Sequence, residues 1–115
     1  MRGTFSLMCG AHDKRIGTFV IDSENNIWDY TAELSNDEQP LVFRLMLKDL
    51  GGVKLSGDAV HMWIAERAPD PDYEFIDALL ERVGIKEYDP LAFVAHNRGC
   101  FITDNYYLDG FLPTD

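Results

Sequence analysis

Apolar and polar residues alternate over the first third of the chain and recur at helical spacing over most of the rest. Residues 4–9 alternate loosely between Gly3 and Gly10 and read as a strand. A polar turn, AHDKR, leads to a second strand at 16–21, IGTFVI, rich in β-branched residues. Asp22, Ser23, Glu24, Asn25 and Asn26 form a cluster of turn residues. Ile27, Trp28 and Tyr30 then open a third strand that runs to about residue 34. Three short strands joined by tight polar turns predict an antiparallel meander, whose faces need cover.

The cover comes from helices. SNDEQP, at 35–40, offers Ser35 or Asn36 as a cap. Leu41 with Leu45 and Val42 with Met46 then repeat at i, i+4 before Gly51-Gly52. A buried strand competes with a helix there, because a continuous apolar run has no decisive period. Ser56 is the expected cap of a second helix with Val60, Trp63, Ile64 and Arg67 on one stripe, closed by Ala68-Pro69. A third helix, capped by Asp70 or Asp72, buries Tyr73, Ile76, Leu79, Leu80 and Val83 and stops at Gly84. Asp89-Pro90 starts a fourth, through Leu91, Phe93, Val94 and Ala95 to about residue 97. Residues 100–103 and 105–108 read as short strands around Asp104-Asn105.

These elements predict an α+β fold. A small antiparallel β-sheet, made of the N-terminal three-strand meander plus a C-terminal strand or hairpin, packs against three or four helices. Residues 1–115 form one globular domain, with 109–115 a loose tail. The expected core is Phe5, Leu7, Val20, Ile27, Leu45, Val60, Trp63, Ile64, Ile76, Leu80, Val83, Leu91, Val94 and Ile102.

Charge changes the picture most. Twenty acidic residues against ten basic ones give a formal net charge of −10. Direct nucleic-acid binding is disfavoured, since that affinity comes from Lys and Arg displacing counterions. Between Pro69 and Pro90, seven carboxylates face only Arg82 and Lys86, a local charge of −5. A solvated helix face with its caps would account for them. The sharper reading is an acidic surface for a basic protein partner, with Asp70, Asp72, Glu74, Asp77, Glu81 and Glu87 as the binding residues. No apolar run is long enough to span a bilayer, and the opening MRGTFSLMCG is too short in apolar residues for a signal peptide. Two cysteines fit free thiols in a cytoplasmic protein.

Candidate chemistry adds less. Cys9-Gly-Ala-His12 and His96-Asn-Arg-Gly-Cys100 place two thiols and two imidazoles at zinc-like local spacings, so a zinc module would use Cys9, His12, His96 and Cys100. C-x2-H with H-x3-C is no established zinc signature, and no metal is assigned. A nucleophilic reading would pair Cys100 with His96 and orient the imidazole with Asp104. Asp70-x-Asp72-x-Glu74 lacks the glycine and distal glutamate of a calcium loop, and no phosphate-binding glycine motif is present. No cofactor and no enzymatic activity are expected.

From Phe5-Ser-Leu-Met8 and Gly17-Thr-Phe-Val-Ile-Asp22, through Trp63-Ile-Ala-Glu-Arg67-Ala-Pro69, Ile76, Leu79-Leu80 and Gly84, to Gly99, Asp104 and Tyr106-Tyr107-Leu108, the chain resembles one known region. It is the small region preceding the kinase core in divergent HipA-like toxin proteins of Gram-positive bacteria and their phages. The resemblance implies a cap that packs on a kinase without catalytic residues of its own. By that likeness the chain would be a non-enzymatic regulator that docks on and restrains a larger enzyme, in an antitoxin-type role. The acidity of residues 70–89 departs from the family. It suits instead a small acidic phage-type inhibitor of a nucleic-acid-binding host defence enzyme, an anti-CRISPR-like mimic. This alternative rests on compositional analogy. An exposed sheet edge would also allow a homodimer.

Overall fold

The computed structural model describes residues 2–10, 13–50, 52–100 and 104–110. Among these residues, five antiparallel strands form one open sheet: β1 (Arg2–Cys9), β2 (Lys14–Asp22), β3 (Ile27–Ala32), β4 (Lys54–Ser56) and β5 (Tyr106–Asp109), in the order β4-β3-β2-β1-β5. Four helices accompany it: α1 (Leu41–Leu50), α2 (Asp58–Ala65), α3 (Ile76–Val83) and α4 (Pro90–His96). The α+β architecture, the N-terminal meander and the added C-terminal strand all follow the sequence pattern. Among the described residues, no helix is long and apolar enough to cross a membrane.

Strand parity decides which side chains enter the core. Phe5 and Leu7, Phe19 and Ile21, Trp28 and Tyr30, Leu55 and Leu108 all point to the covered face and are buried. Phe43 and Leu47 of α1, Val60 and Ile64 of α2 and Val94 of α4 close over them. The other face carries Thr4, Ser6, Thr18, Asp29 and Thr31, none of them buried. Three expected core residues are therefore misplaced. Val20 lies between Phe19 and Ile21, Ile27 precedes the inward Trp28, and Leu45 lies opposite Phe43 and Leu47 on α1; all three are exposed. In a run such as Phe19-Val20-Ile21, one residue of parity exchanges the faces, and hydrophobicity alone does not choose. Trp63, Ile76, Val83 and Leu91 are half-buried, and Ile102 lies outside the described residues.

A bulge in β2 sets up the strongest polar feature of the core. Leu7 pairs with Gly17 and Met8 with Arg15, so Ile16 has no partner across the ladder. Its carbonyl turns to other donors: Glu33 N at 3.0 Å and the Gln39 side-chain amide at 2.9 Å. Gln39 is fully buried, also donates to Leu34 O at 3.2 Å, and accepts from the Tyr30 hydroxyl. Burial raises the Tyr30 phenol well above its ordinary 10.0. The folded state thus holds a proton that the unfolded chain gives up in alkali. The stabilisation is complete below about pH 10 and is lost progressively as pH rises above it. Urea unfolding at about pH 9 and about pH 11 should show this fall, and Tyr30→Phe should flatten it. An unchanged slope in the variant would place the alkaline sensitivity elsewhere.

Several boundaries differ from those expected. Ser56 is the last residue of β4, where its hydroxyl donates to Asp29 Oδ1 at 2.7 Å; it caps nothing, and Gly57 occupies the start of α2. Neither Ser35 nor Asn36 caps α1, because a 3-10 turn at Asn36–Glu38 and Pro40 come first. Asp109 pairs with Ser6, so the strand runs into the expected tail; residues 111–115 lie outside the described residues. Cys100 lies outside any strand, and 101–103 are not described. The start and stop signals at Asp89 and Gly84 act as their chemistry dictates. Asp89 accepts from Leu91 N at 3.1 Å and Ala92 N at 3.4 Å, while Gly84 takes the left-handed conformation with φ of 86°.

Candidate docking surface

A buried arginine precedes the acidic segment. Arg67, one turn beyond Trp63, reaches from the end of α2 to the chain after α4 and is only 4% exposed. Its Nε donates to Gly99 O, and its two terminal nitrogens form a fork on Asp104, at 3.0 Å and 2.7 Å. One of them also donates to Tyr106 O at 2.9 Å. The guanidinium lies 4.4 Å from the Trp63 ring centroid. Trp63 itself stacks on Phe19 and contacts Phe43 and Tyr106, so it serves the core contact that its spacing implies while remaining half-buried. Trp63, Arg67, Gly99, Asp104 and Tyr106, among the most specific positions of the resemblance, thus form one contact network. Folding alone accounts for their spacing.

The same network closes one edge of the sheet. Leu108 N donates to Arg98 O at 2.8 Å, and Tyr106 O is taken by Arg67, so the outer side of β5 is occupied. At the other edge, β4 has three residues. The first edge is covered by these contacts and the second is short.

From Arg67 the chain leaves the core. Asp70-Pro71-Asp72 makes an Asx turn, with Asp72 N donating to Asp70 Oδ1 at 2.8 Å and Tyr73 N to Asp70 O at 3.0 Å. A second turn follows, Ile76 N to Tyr73 O at 3.0 Å, and only then does α3 begin. The expected cap at Asp70 or Asp72 and the expected helical stripe from Tyr73 are both corrected: Phe75 is the residue before the helix, and no side chain caps it. The two turns rotate Tyr73 and Phe75 outwards, to 47% and 58% exposure. Their rings meet edge to face with centroids 5.8 Å apart. Tyr88 ties the loop down from its far side, its hydroxyl donating to Pro69 O at 2.6 Å. α3 packs on α4, and Leu80 is its one buried residue among those described.

Asp70, Asp72, Glu74, Asp77, Glu81 and Glu87 are all exposed. The four ion pairs of the described residues, Lys14–Glu38, Arg15–Glu33, Arg67–Asp104 and Arg98–Asp109, leave all six without a cation. Asp70, Asp72, Glu74 and Asp77 alternate with or flank the two aromatic rings within one stretch of chain. The result is an apolar aromatic pair set among carboxylates without cations, on a loop tied at its start by Tyr88. The carboxylates were legible in the sequence. The aromatics were not, because Tyr73-Ile76-Leu80 has helical spacing; the one signal against it was Pro71 between two aspartates.

The chemical candidates do not assemble. Cys9 is half-buried, while His96 and Cys100 are exposed; both cysteines are free thiols. Among the described residues no group of three or more His, Cys, Asp or Glu side chains is gathered as a metal would need, and His12 lies outside them. Asp104, the residue meant to orient His96, is committed to Arg67 and to Tyr106 N. A cavity of about 240 Å³ between the end of β3 and α1 is lined by Ala32, Leu34, Ser35, Asn36, Leu47, Lys48, Gly52 and Val53. Lys48 is its one ionisable side chain, so it offers no acid–base pair. No family model, curated protein or solved structure matches the chain.

Proposed function

We propose that the chain is a non-enzymatic protein-binding module that docks on a larger, basic-surfaced enzyme through residues 70–87. The observation that carries this reading is the exposed Tyr73–Phe75 pair among unpaired carboxylates. Aromatic side chains in a polar surround are the usual energetic centre of an interface, and the charged rim sets its approach rate and selectivity. The Tyr88–Pro69 bond and the turns at Asp70 and Tyr73 reduce the ordering cost of binding.

Two targets fit. The resemblance makes a HipA-like kinase the first partner to test, with the chain restraining it from a surface position. The six carboxylates without cations favour a second reading, in which the surface occupies a nucleic-acid channel of a host enzyme. Affinity capture from the source cells with the wild-type chain and with Asp70, Asp72, Glu74 and Asp77 all changed to Lys separates them. A channel blocker loses its partner on charge reversal and is displaced by added nucleic acid. A kinase cap retains binding in moderate salt and is indifferent to nucleic acid. If the quadruple variant recovers its partner undiminished, the acidic surface is not the docking site.

A further inference from the structure

Arg44, on α1, holds a buried donor without an acceptor. Its Nη2 donates to Gln39 O at 3.2 Å, while its Nε is buried and, among the described residues, meets no partner. A buried guanidinium N–H is ordinarily hydrogen-bonded, because a bare one loses its hydration for nothing in return. Other donors stand around it. Tyr106, Cys9 and Lys14 pair in one row across β5, β1 and β2, and residues opposite on a ladder share a face. That face is the covered one, since Cys9 and Tyr106 pack against the core. α1 closes over the same end of the sheet: Phe43 meets Trp63 with ring centroids 5.2 Å apart, and Trp63 meets Tyr106 at 6.4 Å. Among the described residues, neither the Tyr106 hydroxyl nor the free Cys9 thiol makes a hydrogen bond.

The charges decide what these donors take. Burial raises the Tyr106 phenol above its ordinary 10.0; Cys9 adds to the rise, Arg44 opposes it, and Asp104 and Glu38 add to it again, so all four lie near the hydroxyl. Both carboxylates already have cations, Asp104 in Arg67 and Glu38 in Lys14. Arg44 is in none of the four ion pairs of the described residues. One positive charge is left over, beside a phenol and a thiol that have donors to give. We propose that Arg44, Tyr106 and Cys9 form a binding site for a ligand carboxylate. Arg44 supplies the charge and Tyr106 a hydroxyl donor, both stronger towards an ionised acceptor than a neutral one. A single carboxylate balances the single charge, whereas a phosphate dianion would bring a second negative charge beside Glu38 and Asp104. All three residues are half-buried, so the group keeps contact with solvent.

Titration of the isotope-labelled chain with sodium acetate, against sodium chloride at equal ionic strength, tests the site by nuclear magnetic resonance. The Arg44 Nε–H signal and the Cys9 and Tyr106 amide signals should shift saturably with acetate, and acetamide should leave them in place. Tyr106→Phe removes a hydroxyl that bonds nothing else, so the fold is kept and the affinity should fall roughly tenfold. Arg44→Met should abolish the shifts at Cys9 and Tyr106. A tri-alanine peptide that moves the same signals at lower concentration than acetate assigns the carboxylate to a chain end; acetate binding alone assigns it to a free acid. A wild-type chain that takes up no acetate, its Nε met by water alone, overturns the proposal. So do shifts that chloride or acetamide reproduces, tighter binding of inorganic phosphate than of acetate, and wild-type affinity in Tyr106→Phe. None of these outcomes bears on the acidic surface, which lies on other elements.

Discussion

Replacing Arg67 by methionine is expected to lower the unfolding free energy by about 3–5 kcal/mol. Methionine preserves most of the stem volume and its packing on Trp63, so the loss isolates the guanidinium. Four acceptors lose the guanidinium together: Gly99 O, Tyr106 O and both oxygens of Asp104, of which Oδ1 keeps Tyr106 N. They join the end of α2 to chain segments more than thirty residues away. Asp104→Asn should cost less, about 1–2 kcal/mol, because that side chain is 28% exposed and water can reach the vacated arginine face. Chemical denaturation with an unchanged m-value reads both differences. A loss under about 1 kcal/mol in Arg67→Met would mean that the network contributes geometry without stability.

Gly17→Ala should be nearly as damaging, at about 3 kcal/mol. A methyl group there would lie 2.0 Å from the Tyr30 hydroxyl oxygen and 2.3 Å from the ring carbon bearing it. Tyr30 has nowhere to retreat. Its ring lies against Phe19 and Phe43, and its hydroxyl is bound to the buried Gln39 amide. The cost is one of space, with no left-handed backbone at Gly17 to confuse it. Gly52→Ala is the matched control: nothing lies within 4 Å of the added methyl, and stability should change by less than about 0.5 kcal/mol. If Gly17→Ala unfolds like the wild type, Tyr30 does not pack over β2 as described.

These two sites mark the limit of what the residue pattern reveals. Strands β1 to β3 were legible because glycine, aspartate and asparagine turns separate runs of β-forming residues. The bulge at Ile16 was not, since nothing in Arg15-Ile16-Gly17 announces an unpaired residue, and the carbonyl it frees is met by Gln39, far along the chain. β4 escaped because three residues with one buried apolar side chain, Leu55, carry no period. Arg67 looked like the polar end of a helical stripe; its role depends on partners that only the fold brings near. The acidic run was plain as composition. Whether carboxylates surround apolar rings or open solvent depends on two consecutive turns at Asp70–Ile76, and the competing helical spacing hid them.

The proposed docking role makes the Tyr73–Phe75 pair the anchor of a partner-binding surface. The most direct measurement is the equilibrium affinity of the purified captured partner for the wild-type chain and for Tyr73→Ala/Phe75→Ala. Both rings are exposed, so the double variant should keep its thermal midpoint within a few degrees. Its affinity should fall by roughly thirtyfold or more. Wild-type affinity in a folded double variant would contradict the claim and return residues 70–87 to the status of a solvated face.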